Sequence, residues 1–370
     1  MIKKDTISAC FLKKPARLAA AVRWKNLMLS AALLAILALV VSMEACRKSD
    51  AAPAVRKLSL EVPAGFPPPE DLFKDNPITQ EGFDLGKKLF YDGRLSKDGK
   101  FPCSSCHQQF AAFATFDHAL SHGVKDQFTT RNAPGLFNLA WHRELHWDGG
   151  INHLEVQPLA PITAPNEMGE TVEGVIAKLN SDSRYREMFR AAFGDETINS
   201  QRMLRAMAQF MGMMVSANAK FDQVKQGKAS FTAAEQAGYA VFQAKCGSCH
   251  KEPLFTDLSY RNTGLTLDPG LRDAGRMRIT NRREDSLKFK VPSLRNVEVT
   301  APYGHDGRFF SLGAVVDHYR FGVVDGPTTD PLVKRRIGMS DNEKSDLVQF
   351  LKTLTDQSFL KDPRFAEPVE

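Results

Sequence analysis

The sequence predicts a mainly α-helical protein with two similar domains in tandem and long ordered loops around them. Apolar residues recur every three or four positions over 171–193, 200–221 and 341–354, which is the spacing of one helix face, and strand alternation is confined to short stretches. Segments 79–90 and 232–242 share a threonine, an early glutamate and a glycine in the same order, and each precedes the same kind of pentapeptide. This repetition indicates a duplicated helical unit.

The repeated pentapeptide is C-x-x-C-H, at 103–107 and 246–250. It is the attachment signature of c-type haem, in which both cysteines form thioether bonds and the histidine binds the iron. One copy could be a zinc-ribbon fragment or a chance match, but two copies in an exported chain favour haem. We therefore expect two cytochrome c-like haem domains, each with a covalent haem c. The expected haem-binding residues are Cys103, Cys106, His107, Cys246, Cys249 and His250.

The export signal is expected within residues 1–45. A basic stretch at 1–26 precedes an apolar run at 27–43, and the small residue Ala45 stands before Cys46. Either Cys46 is lipidated and becomes the mature N-terminus, or the apolar run stays as an uncleaved anchor near the lower length limit for a membrane span. Both alternatives attach the globular part to a membrane on the periplasmic side of the cell envelope.

Most of the formal net charge of +6 lies in this leader, which carries seven basic and two acidic residues. The rest of the chain is nearly neutral, so its charge gives no support for binding nucleic acid. Four of the six cysteines lie in the haem motifs, Cys46 lies at the processing site and Cys10 lies in the leader. No pair remains for a disulfide bond, although the compartment would permit one.

The remaining chain is expected to form a tether and two domains. Residues 46–75 include three consecutive prolines at 67–69 and few core-forming residues, as is typical of a linker. Residues 76–225 form the predicted N-terminal haem domain, and residues 226–370 form the predicted C-terminal haem domain.

Two further details concern the predicted helices. The helix at 341–354 is expected to be capped by Ser340 or Asp341. The segment 200–221 carries a methionine stripe that could supply haem ligands, but such stripes are more often core. The methionines of this stripe are Met203, Met207, Met211, Met213 and Met214.

Six further motifs occur in a fixed order along the same region. They are Arg-Asn-Ala-Pro at 131–134, Trp-Asp-Gly at 147–149, Leu-Glu-Val-Gln at 154–157, Asn-Glu-Met-Gly at 166–169, Val-Pro-Ser-Leu-Arg-Asn at 291–296 and Ala-Pro-Tyr-Gly-His-Asp-Gly-Arg at 301–308. With the two haem motifs, they resemble the bacterial di-haem cytochrome c peroxidases and their MauG relatives. The resemblance covers about residues 76–356 and is specific for the family, not for the substrate.

The resemblance implies a role for each matching residue. His107 would be the proximal ligand of the N-terminal haem, where peroxide reacts, and His250 would ligate the C-terminal, electron-transfer haem. Glu167 would be the acid–base residue over the N-terminal haem, with Gln157 beside it. Trp147 would relay electrons between the haems. Without the resemblance, Glu167 could be a surface acid in a loop and Trp147 a packed core residue.

The resemblance also implies a calcium ion at the domain interface. The side chain of Asn132 and the backbone oxygens of Thr300 and Pro302 would hold it.

The role implied for the carboxylate of Glu167 is also chemically reasonable, because peroxide reduction needs a group that moves a proton from one peroxide oxygen to the other.

One departure from the peroxidase pattern concerns the sixth ligand of the C-terminal haem. Tyr319 stands fourteen residues after His305, where the peroxidases carry methionine, and MauG-type proteins resemble this chain in using a tyrosinate there. A phenolate favours ferric iron and should lower the haem potential. Met339 and His318 are the alternatives for this position.

The other departure concerns the open face of the N-terminal haem. His122 lies close to the position of a histidine that caps the oxidised haem in many peroxidases and that MauG-like proteins lack. It is either a resting-state ligand or a hydrogen-bonded loop histidine, and His118 is a weaker rival. Three more histidines are expected to make loop or haem-propionate contacts: His142, His146 and His153.

These features favour a peroxidase that reduces hydrogen peroxide to water with electrons from a small cytochrome c or cupredoxin, passed from the C-terminal to the N-terminal haem. The alternative is a MauG-like oxidase that uses high-valent iron to modify a protein or organic substrate. A third class is a plain electron-transfer cytochrome, but Glu167 and Gln157 argue against it, because an electron carrier usually has both axial positions filled. The sequence is compatible with both a monomer and a homodimer.

Overall fold

The computed structural model describes residues 24, 28–36, 38 and 55–368. Helices dominate these residues, so the prediction of a mainly α-helical chain is confirmed, and the two named strands are two residues each. Residues 28–36 are helical, but no helix among the described residues has the length and apolarity that crossing a membrane requires. Most of the predicted leader, including Cys10 and the processing site at Cys46, lies outside the described residues.

Residues Pro53–Glu370 form one compact unit. The helices of its first half are α1 (Gln80–Phe90), α2 (Leu159–Thr163), α3 (Val172–Asn180), α4 (Ser183–Phe193) and α5 (Ser200–Gly212). The second half contains α6 (Lys220–Lys225), α7 (Ala233–Lys245), β1 (Tyr260–Arg261), α8 (Met277–Thr280), β2 (Phe289–Lys290), α9 (Leu312–Asp317), α10 (Pro331–Lys334), α11 (Asp341–Lys352) and α12 (Gln357–Leu360). The strands β1 and β2 pair in an antiparallel sense. The division into domains at residue 225 stays a prediction.

The helix that precedes each haem motif packs against a later helix through a glycine. In α1, a Cβ at Gly86 would collide with the backbone carbonyl of Ala206 in α5. In α7, a Cβ at Gly238 would collide in the same way with the carbonyl of Asp346 in α11. Each glycine therefore lets two helices approach more closely than a side chain would permit.

Side-chain caps are present at the starts of α1, α7 and α11. Thr79 accepts a hydrogen bond from the backbone N–H of Gly82, and Thr232 forms a reciprocal capping box with Glu235. Ser340, the first of the two candidates for α11, accepts from the N–H of Glu343.

Two helical segments predicted as continuous are interrupted. The segment 171–193 divides into α3 and α4, because Asp182 caps the start of α4 by accepting from the N–H of Arg184 at 2.9 Å. The segment 200–221 divides into α5 and α6. Between them, the N–H of Ser216 donates to the side chain of Asn138, and the next two N–H groups donate to Asp356. These distant acceptors replace the hydrogen bonds that a helix would have made.

The hydrophobic core contains two main clusters of buried residues. The first surrounds α1 and α5 and includes Phe90, Phe113 and Phe210, together with four of the methionines in the predicted stripe. The chain end returns to this first cluster, where Phe359 and Phe365 are buried. The second cluster surrounds α7 and α11. Its members are Phe221, Phe242, Phe255, Val297, Val316, Leu347, Phe350, Leu351 and Leu354.

A buried ion pair braces the second cluster. The guanidinium of Arg295 is fully enclosed and donates two hydrogen bonds, at 2.8 and 2.9 Å, to the carboxylate of Asp222 in α6. Its Nε donates to the carbonyl of Pro253, and the guanidinium lies over the ring of Phe66 at 4.9 Å. Pairing with a carboxylate and hydrogen bonding of this kind are what a buried charge requires.

Candidate functional site

The first haem motif opens onto a cavity of about 430 Å³. Cys103, Cys106 and His107 line one part of the cavity, and Gln157 and Glu167 line another. The two polar residues come from separate loops, one ending the short turn Leu154–Val156 and one between α2 and α3. The structure therefore brings together the haem-attachment residues and the two residues that were expected to act on peroxide.

The axial histidine of this motif is held in one tautomer. Nδ1 of His107 lies 2.7 Å from the carbonyl oxygen of Phe113. A carbonyl only accepts, so Nδ1 carries the proton and Nε2 keeps a lone pair for a metal. Phe113 and its neighbour Ala112 adopt left-handed backbone conformations, with φ of +58° and +53°, that turn this carbonyl towards the ring. Burial lowers the pKa of His107, which favours the neutral, ligating form.

The second motif repeats this arrangement. Nδ1 of His250 lies 3.1 Å from the carbonyl oxygen of Phe255 and 3.2 Å from that of Pro292. Phe255 also has a positive φ, of +54°, and burial lowers the pKa of His250. Both histidines are therefore held in the tautomer that leaves Nε2 free to bind a metal. Metal-binding histidines commonly donate their other ring N–H to a carbonyl in this way.

Glu167 is the acidic group of the first cavity. Its backbone carbonyl accepts from the N–H of Val124 at 2.7 Å, which fixes the loop. Its carboxylate makes no hydrogen bond to any residue that the structure describes, and burial raises its pKa. A carboxyl group with a raised pKa holds its proton more readily than an exposed one, which suits a group that takes up and returns a proton.

His122 lines the same cavity, whereas His118 is not among the described lining residues. The His122 ring lies 4.5 Å from that of Phe128 and 5.3 Å from that of His118. Its place in the wall is compatible with either alternative, a resting-state ligand or a loop histidine. His142 and His146 also line the cavity, and burial lowers the pKa of His142 to about 3. His153 instead caps a short turn by accepting from the N–H of Glu155.

The second haem motif lines a larger cavity, of about 610 Å³. Tyr319, His318 and Met339, the three candidates for the sixth ligand, all line it. Nε2 of His318 is engaged with the carbonyl oxygen of Thr263 at 2.9 Å. The phenol of Tyr319 makes no hydrogen bond to the described residues, and burial raises its pKa. The Tyr319 oxygen is therefore uncommitted among the described residues, whereas His318 could offer only Nδ1.

Eight residues line both cavities and form what we call the shared wall. They are Asn132, Pro134, Gly135, Phe137, Trp147, Lys290, Pro292 and Ser293. The indole N–H of Trp147 donates to the carbonyl of Asn132 at 2.9 Å, and the backbone N–H of Lys290 donates to the carbonyl of Trp147 at 2.7 Å. The aromatic ring expected to relay electrons is thus held by backbone hydrogen bonds within the shared wall.

The three expected calcium ligands, Asn132, Thr300 and Pro302, line the second cavity. The amide nitrogen of Asn132 donates to the carbonyl of Ala119, which leaves the amide oxygen to face a cation. No group of three or more His, Cys, Asp or Glu side chains that could hold a metal ion occurs among the described residues. A calcium ion here would depend on amide and backbone oxygens, and it stays a prediction.

The cavities suit the chemistry of haem. Their walls are mainly apolar, and each presents two cysteine thiols and a histidine with its lone pair kept free. The second cavity also contains an orphaned donor, because Nε of Arg261 is buried without a hydrogen-bond partner among the described residues. A haem propionate would satisfy such a donor. Sequence reasoning gave no role to Arg261 or to Lys290, although Lys290 directly precedes the motif at 291–296.

Comparisons with known proteins agree with this site. A family model described as di-haem cytochrome c peroxidase matches residues 80–230. The methylamine utilization protein MauG of Methylorubrum extorquens is 36% identical over 308 residues, which cover 81% of this chain and 84% of that protein. The cytochrome c551 peroxidase of Nitrosomonas europaea is 36% identical over 297 residues, which cover 77% of this chain and 84% of that protein.

A solved structure shows the same fold. The crystal structure of a MauG-like protein associated with microbial copper homeostasis matches with a TM-score of 0.77 and 36% sequence identity. The match covers 84% of this chain and 99% of that one. The similarity therefore extends through both haem motifs.

Proposed function

The chain belongs to the family of di-haem cytochrome c peroxidases and MauG proteins, and on that premise we propose that it reduces hydrogen peroxide to water. The electrons would come from a small cytochrome c or cupredoxin on the periplasmic side of the cell envelope. Family membership implies two haem c groups, which when bound supply redox-active iron next to His107 and His250. The observation that carries the proposal is Glu167, a partly buried carboxyl with a raised pKa in the cavity of His107.

The residues of the first cavity would handle the protons of the reaction. Reduction consumes two electrons and two protons for each peroxide and releases two waters. The Glu167 carboxylate would accept the proton of one peroxide oxygen and deliver it to the other, so that the second oxygen leaves as water. The amide of Gln157 would orient the peroxide. The apolar wall would limit the access of bulk water, which strengthens these polar contacts.

The shared wall supports an electron route from the C-terminal to the N-terminal haem. Trp147 lines both cavities, and its position is fixed by hydrogen bonds to Asn132 and Lys290. An aromatic ring between two redox centres shortens the gap that an electron must cross.

Trp147→Phe should slow electron transfer between the haems severalfold, because phenylalanine keeps the apolar ring but is much harder to oxidise and lacks the N–H bond to Asn132. Stopped-flow spectroscopy of the two haems after rapid reduction would measure the rate. Trp141→Phe is a matched control, since Trp141 is buried, donates to the carbonyl of Pro67 and lines neither cavity. An unchanged rate in Trp147→Phe with both spectra intact would contradict the relay.

A second candidate function is a MauG-like oxidation of a protein or organic substrate. It is favoured by one observation, the presence of Tyr319 in the wall of the second cavity with its phenol uncommitted among the described residues. A phenolate is a hard, anionic ligand that favours oxidised iron. An enzyme that performs this oxidation must keep its haem groups in an oxidised state until the substrate binds.

Tyr319→Met should raise the potential of the C-terminal haem and convert its spectrum to the His/Met type, because a thioether favours ferrous iron. Peroxidase activity with an external donor should survive, whereas oxidation of an organic substrate should fail. Redox titration with optical and EPR spectra would follow both changes. Tyr303→Phe is the control, since Tyr303 lines the same cavity but donates to the carbonyl of Val297. An unchanged potential and spectrum in Tyr319→Met would show that Tyr319 is not a ligand, and Met339 and His318 would be the next candidates.

The proposed reaction itself is tested by comparing the oxidised and half-reduced protein by optical and EPR spectroscopy, with peroxide turnover measured alongside. We expect peroxide turnover together with a high-spin N-terminal haem in the active form. Two haems that stay six-coordinate and low-spin in both states, with no turnover, would instead identify a plain electron-transfer cytochrome.

We propose three further properties that the sequence predicts. A calcium ion would be held by Asn132, Thr300 and Pro302, which all line the second cavity. The chain would be attached to a membrane through Cys46 or through an uncleaved anchor at 27–43. The active form could be a homodimer, for which analytical ultracentrifugation is the direct test.

A further inference from the structure

Lys290 is the charged residue of the shared wall. The other seven members of that wall are uncharged, whereas the side chain of Lys290, which lines both cavities, carries an ammonium group. It comes from β2, where it pairs with Tyr260 of β1. A charge carried by a residue of the shared wall lies close to both cavities.

Two hydrogen bonds attach Lys290 to the segment that carries Trp147. Its backbone N–H donates to the carbonyl of Trp147, and its Nζ donates to the backbone carbonyl of Glu144, both at 2.7 Å. The backbone bond does not depend on the side chain, but the second bond does. The side chain therefore has two separable effects, to anchor Glu144 and to supply a charge.

Both acidic and basic side chains lie near the ammonium group of Lys290. Burial lowers the pKa of Lys290 to about 8, while the carboxylates of Glu144 and Asp148 act in the opposite direction and the guanidinium of Arg276 adds to the lowering. The ammonium form still predominates at neutral pH. His142 and His146 of the first cavity feel this charge as well, because it contributes to the lowering of their pKa values.

We propose that Lys290 is a positioning residue that sets the potentials of both haems together through its charge. This inference rests on the proposed function only in requiring a haem in each cavity. The reduced form of a haem carries one positive charge less than the oxidised form, so a neighbouring ammonium favours reduction, and more strongly where water is excluded. Because Lys290 borders both cavities, it keeps the two potentials in step along the route through Trp147.

The test is a redox titration of each haem, followed through its own optical bands, in variants at Lys290. Lys290→Met keeps the stem and the backbone bond to Trp147 but removes the charge, so both midpoint potentials should become more negative. Lys290→Arg keeps the positive charge, so both midpoint potentials should match those of the parent protein. Arg278→Met and Lys245→Met are matched controls, because Arg278 lines only the first cavity and Lys245 only the second. Each control variant should shift at most the midpoint potential of the haem in its own cavity.

A shift of one potential only, or of neither, in Lys290→Met would overturn the proposal. Should that variant bind fewer than two haems, Lys290→Gln and Lys290→Arg give the same comparison, since glutamine keeps a donor without the charge. Equal potentials in those two variants would also overturn it. The titration uses no peroxide, so a protein that fails to turn over peroxide but shows both shifts would contradict the proposed function and leave this inference standing.

Discussion

Glu167→Gln should lower peroxide turnover by about 10²–10⁴-fold, which is the usual contribution of a general acid–base residue. Glutamine has nearly the same shape but cannot accept and return a proton. Both haem spectra should stay close to those of the parent protein, because the residue is not an iron ligand. Steady-state turnover with a reduced small cytochrome, with spectra recorded on the same samples, measures both quantities.

The pH dependence sharpens this expectation. Burial raises the pKa of Glu167, so its carboxylate takes up a proton at a higher pH than an exposed glutamate would. The rate should therefore fall as the pH drops through that raised value, and Glu167→Gln should lack this inflection. Glu173→Gln, at an exposed position in α3, is the matched control. A loss of less than about threefold, well below the usual range, would show that Glu167 is structural.

The combined change Cys103→Ala and Cys106→Ala should remove one haem and destabilise the fold severely. A cavity of about 430 Å³ would lose its haem. Loss of the group that fills a mainly apolar cavity removes its packing contacts, and the whole stability of a typical protein is only ~5–15 kcal/mol. Haem content by the pyridine haemochrome assay and thermal unfolding by circular dichroism would measure the two effects.

The matching change at Cys246 and Cys249 provides the comparison. It should also halve the haem content, but the spectrum that remains should be that of the other haem. A protein that keeps two haems and its full stability after the change at Cys103 and Cys106 would disprove covalent attachment at that site.

Local features of the fold were predictable because their causes lie within a few residues. The threonine caps, the paired glycines at 86 and 238, and the two haem motifs are all short patterns with fixed spacing. The interruption between α5 and α6 was not predictable, because the acceptors that replace helical hydrogen bonds come from Asn138 and Asp356, far away in the chain.

The residues of the candidate site also include some that the sequence predicts and some that it does not. Glu167, Gln157 and Trp147 were identified because each lies in a motif that the family shares, and the structure brings all three to the first cavity. Lys290 and Arg261 stand in no such motif, and their importance depends on which cavity their strand borders. Only the packing of β1 and β2 against the loops of both halves reveals that position.

The return of residues 359–365 to the first hydrophobic cluster has a consequence for the order of folding. Tyr91 donates to the carbonyl of Phe365, and Gln109 donates to the carbonyl of Asp362, so this cluster is closed by residues 274 and 253 positions further along the chain. Residues 80–212 therefore cannot complete the first cluster alone, and it stays partly open until the distant segment joins it. A fragment that ends before α12 should lack this closure and unfold more readily than the full chain.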